Sequence, residues 1–195
     1  MRIYTARHGQ TRWNSEGRMQ GHTDIPLDET GIAQAHKLSE RFRDIKIGKI
    51  YSSDLARALE TARIINKNHN VEIIVEAGLR EISFGQFEGR FLSEVGEQMV
   101  ALHKAGKGMP GGEKPDEFFA RVHSSLDKIT ACDEDILIVG HFGTIRAALR
   151  YFLDLSTEQN ANLGIGNTSV YCFERSGNGQ HFEMIIDNDV SHLEN

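Results

Sequence analysis

Apolar positions in this chain fall into short continuous runs and three-and-four-spaced stripes, in alternation. Residues 3–6 form a β-prone apolar run suited to a strand covered on both faces of a parallel sheet. After a polar loop, Asp28-Glu29-Thr30-Gly31 precedes Ile32, Ala35, Leu38, Phe42 and Ile45, a spacing that predicts a helix over residues 29–44. Residues 49–52 read as a second short strand. Ser53 or Asp54 then caps a helix whose inner face is Leu55, Leu59, Ala62 and Ile65, with Arg57 in its first turn.

A third strand is expected at 71–75, followed by Leu79-Arg80-Glu81-Ile82 and a glycine-aromatic loop over 84–89. Two helical stripes come next, Leu92, Val95, Met99, Leu102 and then Phe119, Val122, Leu126, Ile129. Between them Gly106-Lys107-Gly108-Met109-Pro110-Gly111-Gly112 reads as a mobile turn by composition. The clearest buried strand is 135–140, which ends in His141. Gly143 and Thr144 open a helix with Ile145, Ala148, Leu149 and Phe152 inward. The period then changes to two: 169–174 and 181–187 alternate around Ser176-Gly177-Asn178-Gly179, a terminal hairpin. Strands alternating with helices and then a hairpin predict a three-layer α/β/α sandwich with a mostly parallel central sheet and an antiparallel edge.

The 195 residues fit one domain, 1–195, and nothing in the composition suggests a linker or an internal repeat. The net charge of −6 argues against nucleic acid or an anionic membrane as partner, but a few arginines can still focus on a small anion. Cys132 and Cys172 stand in unlike contexts without metal-ligand spacing, and both read as reduced fillers. Apart from His8 and His141, the seven histidines show no pair at metal-ligand spacing, so no zinc or iron site is expected. No apolar run approaches the roughly 20 residues of a membrane span. No leader precedes the first strand, which points to a cytoplasmic protein. The pattern is neutral between monomer and homodimer.

Candidate chemistry gathers at strand ends. In open parallel sheets, ligands bind outside the carboxyl ends of the strands. Arg7 and His8 follow the first strand, Arg57 opens the helix after the second, and His141 ends the strand from 135, so all should share one rim. The helix opening at Gly143 adds free backbone N–H groups and a positive dipole end. Guanidinium forks match phosphate oxygens, and their charge disfavours protonation of a neighbouring imidazole. One histidine is thereby held neutral as a nucleophile able to form a phosphoenzyme. The leaving oxygen then needs a proton, and Glu81 is the candidate donor, since a carboxyl group beside a phosphate dianion can retain its proton. Taken alone, a glutamate at this position reads as a surface charge, Arg57 as a solvated helix residue, and His141 as a satisfied core histidine.

Arg7-His8-Gly9-Gln10-Thr11 with Trp13-Asn14 resembles the Arg-His-Gly-(Glu/Gln)-Thr signature of the histidine phosphatase superfamily, whose fold is phosphoglycerate mutase-like. Further matches run in order: Arg18-Met19-Gln20-Gly21, Pro26-Leu27, Ser52 through Ala62 around Arg57, Leu79-Arg80-Glu81-Ile82, Gly111-Gly112-Glu113 as a substrate loop, and Gly140-His141. The resemblance implies His8 as nucleophile, Arg7, Arg57 and His141 as phosphate ligands, Glu81 as proton donor, and polar contacts from Asn14 and Gln20. The last two also suit turn residues that bond their own backbone. Phe87 stands where the family often has Trp, and Phe142 interrupts its common His-Gly-Gly run.

The expected activity is hydrolysis of a small phosphorylated metabolite without a cofactor, in a branch that resembles broad-specificity and α-ribazole phosphatases. Two alternatives stand beside it. One is a 2,3-bisphosphoglycerate-dependent phosphoglycerate mutase, though mutases of the family generally carry a longer insertion near the segment between Leu92 and Val122. The other is a phosphate-binding regulatory protein with weak turnover.

Overall fold

The computed structural model describes residues 1–156, 164–176 and 181–194. Six strands form one sheet in the order β3-β2-β4-β1-β5-β6. They are β1 (Arg2–Arg7), β2 (Lys49–Ser52), β3 (Glu72–Val75), β4 (Ile136–Gly140), β5 (Val170–Ser176) and β6 (His181–Asp189). β1 pairs with β4, β4 with β2 and β2 with β3 in parallel, while β5 and β6 add an antiparallel edge. This is the α/β architecture that the alternating pattern predicts. The turn expected at Ser176-Gly177-Asn178-Gly179 falls largely outside the described residues.

Period-two alternation in the central strands explains the three layers. Ile3, Ile136 and Ile138 point to one face, where they pack with Phe118, Val122, Leu126 and Ile129 of α5 (Pro115–Ile129) and Ile145, Ala148, Leu149 and Phe152 of α6 (Phe142–Leu153). Tyr4, Ala6, Leu137 and Val139 point to the other. There they meet Leu38 and Phe42 of α2 (Glu29–Phe42) and Ala58, Ala62 and Ile65 of α3 (Ala56–Asn66). Both faces of β1 and β4 are therefore buried, and each fully buried Ile, Leu or Phe contributes about 1.5–3 kcal/mol of transfer free energy.

Several local expectations are corrected. α3 has Leu55 at its N-cap with no side-chain cap. Asp54 pairs instead with Arg80, and the Ser53 hydroxyl accepts only from the Leu55 amide. Leu59 is half-buried because the inner face is rotated to Ala58, Thr61, Ala62 and Ile65, with Arg57 also buried. Ile32 is exposed, since the first turn of α2 turns Gly31 toward the strand end. On α5 the inward aromatic is Phe118, one residue before the expected Phe119. A short turn, α1 (Arg12–Ser15), occupies the polar loop after β1.

The glycine-rich connection between α4 (Leu92–Lys104) and α5 is anchored as well. Met109 is buried with Met19, Phe87 and Val95, and backbone bonds join Gln86 to Pro110 and Glu113 to Ser83. Composition alone reads those glycines as freedom. Here Gly85 and Gly112 serve close backbone approach, since a Cβ on either would lie 2.4 to 2.6 Å from a backbone atom of the other segment.

Candidate active site

The parallel register of β1 and β4 pairs Arg7 with Gly140, so the next residue on each strand, His8 and His141, emerges at the same level. The His8 amide donates to the Gly140 carbonyl at 3.0 Å. The two imidazole rings stand 5.2 Å apart between centroids, and both are buried. Gly9 is needed directly after His8 because a Cβ there would sit 2.4 Å from the Gly31 carbonyl oxygen, where the start of α2 crosses the strand end.

The orientation of His8 follows from one bond. Its Nδ1 lies 2.7 Å from the Gly9 carbonyl oxygen, which can only accept, so Nδ1 carries the proton and in the neutral ring Nε2 presents a lone pair. Burial first, and then the charges of Arg57 and Arg7, hold the ring well below its ordinary basicity, which outweighs the Gly9 bond. His141 is lowered in the same way, by burial first and then by Arg57. Neither of its ring nitrogens has a hydrogen-bond partner among the described residues.

Both arginines reach this rim. Arg57 is 1% exposed, and its guanidinium donates to the Gly21 carbonyl at 2.8 Å and the Thr23 carbonyl at 3.1 Å. Burial lowers it to about 10, so it stays charged at neutral pH. Arg7 donates to the Ile165 carbonyl at 2.8 Å, and its Nε is buried without a partner among the described residues. Two fixed cations beside two neutral imidazoles make a site suited to a phosphoryl dianion, because the fork donors are oriented before anything binds.

Glu81 comes from the irregular segment after β3 and is 8% exposed. Its carboxylate oxygens lie 3.0 and 3.1 Å from the Gly143 amide nitrogen, and Oε1 also accepts from the Ile82 amide at 2.9 Å. The sequence places a free Gly143 amide toward an oxyanion; in the fold that amide instead meets the Glu81 carboxylate. Helix α6 begins at Phe142 with His141 at its N-cap, so His141 and the Glu81 contact share one helix terminus.

Gln20 is buried, and its Oε1 has no partner among the described residues. Asn14 follows the local alternative in part. Its Oδ1 accepts from the Thr11 amide and hydroxyl in a reciprocal cap of α1, and the amide of Asn167 reaches it at 3.4 Å. Phe142 is 37% exposed at the rim, with the Arg7 and Arg146 guanidinium carbons 5.8 and 5.7 Å from its ring centre. Phe87 is buried with Met19 and Met109.

Four residues were not legible as site neighbours. Asn167 donates to the His8 carbonyl at 3.0 Å, and His22 donates through Nε2 to the Glu81 carbonyl at 2.8 Å. Arg121 reaches the Glu81 carbonyl at 3.3 Å, and Arg146 lies close enough to couple electrostatically to Glu81. None forms a motif with its sequence neighbours. The one available signal is the occurrence of Asn167-Thr168-Ser169, a hydrogen-bonding triplet, directly before β5, the strand that pairs with β1.

Comparison with known proteins identifies the family. Phosphoglycerate mutase-like protein 4 of Arabidopsis thaliana is 35% identical, over 98% of this chain and 86% of its own length. The structure of Bacillus stearothermophilus YhfR superposes with a TM-score of 0.87 at 30% identity, covering 98% of each chain. A mycobacterial glucosyl-3-phosphoglycerate phosphatase, solved with VO3, superposes with a TM-score of 0.86 at 27% identity, over 96% of this chain and 98% of its own. The family profile of the histidine phosphatase superfamily (branch 1) matches residues 3–188, and the chain belongs to that family.

Proposed function

We propose that this protein is a phosphoric-monoester hydrolase that takes the phosphoryl group of a small phosphorylated metabolite onto His8, with residues 1–195 acting as one catalytic domain. In the first half-reaction the Nε2 lone pair of His8 forms a bond to phosphorus. The bond from phosphorus to the leaving oxygen breaks, and Glu81 gives that oxygen a proton. In the second, the Glu81 carboxylate takes a proton from water as water attacks the phosphohistidine. Inorganic phosphate leaves and His8 is restored. Arg7, Arg57 and His141 hold the non-bridging oxygens in both steps, with Gln20 and Asn14 at the margin.

The observation that carries this reading is the state of the His8 ring, with Nδ1 committed to the Gly9 carbonyl and Nε2 left without a partner among the described residues, beside His141. A histidine placed for packing needs neither a fixed tautomer nor two buried cations. Hydrolysis is preferred over transfer to a second substrate hydroxyl because the connection between α4 and α5 is short and folded down on residues 84–86. The names of the relatives, one mutase-like and one phosphatase, are compatible with either outcome.

The test is rapid-quench labelling with a radiolabelled phosphate ester, comparing the parent with His8→Ala. The parent should accumulate an acid-labile phosphohistidine, and the variant should lose both label and turnover. Undiminished turnover in the variant sinks the proposal. A phosphate-release screen over sugar phosphates, phosphoglycerates, nucleotides and ribazole phosphate, with mutase activity measured alongside, then decides the substrate and the acceptor.

A further inference from the structure

Glu81 lies in the irregular stretch between two short 3-10 turns, Ala77–Leu79 and Gly85–Phe87, and its position depends on side chains from elsewhere. Among the described residues the carbonyls of Gly78, Leu79, Arg80 and Glu81 accept no backbone amide. They are taken by Arg121, Thr144 and His22 instead. Arg121 makes most of these contacts. Its Nη1 donates to Gly78 at 2.8 Å and Arg80 at 3.2 Å, and its Nη2 donates to Glu81 at 3.3 Å. The other side of the fork meets Glu113, with Nε 2.9 Å from Oε1 and Nη2 2.7 Å from Oε2. A guanidinium has five N–H donors, and this set of contacts uses all of them.

Glu113 is tied to the same segment independently. Its amide donates to the Ser83 carbonyl at 3.0 Å, and its carboxylate lies 3.4 Å from the Ser83 amide. The Arg121 side chain is 25% exposed and that of Glu113 16%, so the pair is screened far less than a surface ion pair. The guanidinium also lies over the Phe118 ring, 5.3 Å from its centre, a cation–π contact that adds to its anchoring. A resemblance of Gly111-Gly112-Glu113 to a substrate loop points Glu113 at substrate, yet both its carboxylate oxygens face Arg121.

From this geometry we infer that Arg121, braced by Glu113, is a positioning residue that sets the place of the Glu81 carboxyl relative to the leaving oxygen. The inference rests on Glu81 being the proton donor. Among the described residues the carboxylate end is held by the amides of Gly143 and Ile82 alone, while the backbone end is held by the Arg121 fork and His22. Displacement of a catalytic group by about 1 Å costs on the order of 100-fold in rate. That cost falls on substrates whose departure needs an acid, and spares those with an acidic leaving group.

The experiment uses that asymmetry. The full chain and its Arg121→Met, Arg121→Lys, Glu113→Gln and Glu81→Gln variants are assayed with p-nitrophenyl phosphate, whose leaving phenolate needs little protonation, and with glycerol phosphate, whose alkoxide needs it. The ratio of the two kcat/KM values is the readout. Glu81→Gln should shift it by roughly 100-fold or more against glycerol phosphate. Arg121→Met should shift it the same way by about 10- to 100-fold, Glu113→Gln by less, and Arg121→Lys should recover only part. If Arg121→Met does not fold, by circular dichroism, the lysine and Glu113→Gln variants read the same ratio. Equal loss on both substrates in the Arg121 and Glu113 variants, beside a discriminating Glu81→Gln, overturns the positioning role alone. A Glu81→Gln variant that does not discriminate overturns the acid role, and the inference with it.

Discussion

The carboxylate of Glu81 and the backbone amide of Gly143 face each other across the start of α6, with both oxygens within 3.1 Å of the nitrogen. A helix N-terminus favours a negative partner, and here the partner is the candidate proton donor instead of a ligand. The contact needs glycine. A Cβ at residue 143 would lie 2.1 Å from Glu81 Oε1 and 3.1 Å from the Phe118 ring.

Gly143→Ala should therefore move the carboxyl with little harm to the fold, since alanine favours helix over glycine by about 1 kcal/mol. The expected result is a loss of about 10- to 100-fold in kcat/KM on alkyl phosphates, with the thermal midpoint nearly unchanged. Steady-state kinetics and calorimetry on the same preparation check it. Wild-type activity in the alanine variant would show that the contact is dispensable.

Arg57 joins structure to chemistry. It is buried, and its fork satisfies the carbonyls of Gly21 and Thr23. Lysine is a point charge on a flexible stem and cannot replace two diverging donors. Arg57→Lys should lower stability by roughly 1–3 kcal/mol, since a buried carbonyl left unpaired carries that cost. It should also weaken competitive inhibition by inorganic phosphate about 10-fold or more. Urea denaturation and inhibition constants separate the two effects.

A third expectation concerns pH. His8 and His141 are both held well below their ordinary value of 6.5, by burial above all. The unfolded chain takes up these protons near pH 6.5, whereas the folded chain does so only at lower pH. Stability is therefore full above about 6.5 and falls as the pH drops through the window beneath it, by about 1.4 kcal/mol per pH unit for each imidazole that stays neutral. Burial also lowers His69, His103, His123 and His192, which add to this slope. The carboxylate of Asp54, drawn below 3.8 by Arg80, contributes only at more acid pH. Replacing His8 and His141 with glutamine should flatten, without abolishing, the slope of unfolding free energy between about pH 6.5 and 5. An unchanged slope would mean that these rings protonate in the folded protein.

The sequence by itself determined the layered architecture, and it determined that Arg7, His8 and His141 stand at strand ends and Arg57 at the start of a helix. Those features are local: a buried strand must be a run of β-prone apolar residues, a helix must carry a stripe, and each ends where glycine and polar residues begin. The need of the leaving oxygen for a proton brought in Glu81 as candidate donor, and the family motifs supported it and added Gln20 and Asn14. Only the tertiary structure decided which atoms meet. The adjacency of β1 and β4 sets the two imidazoles side by side, and the close approach of Gly31 to Gly9 fixes the chain directly after His8. Gly143 serves Glu81, Glu113 braces Arg121, and Asn167 holds His8. The first and last of these join residues 62 and 159 apart in sequence, and the Glu113–Arg121 pair bridges a loop and a helix. Such bonds impose no period on the chain, so no pattern along it announces them, and the irregular stretch that carries Glu81 between two 3-10 turns is where that difference is greatest.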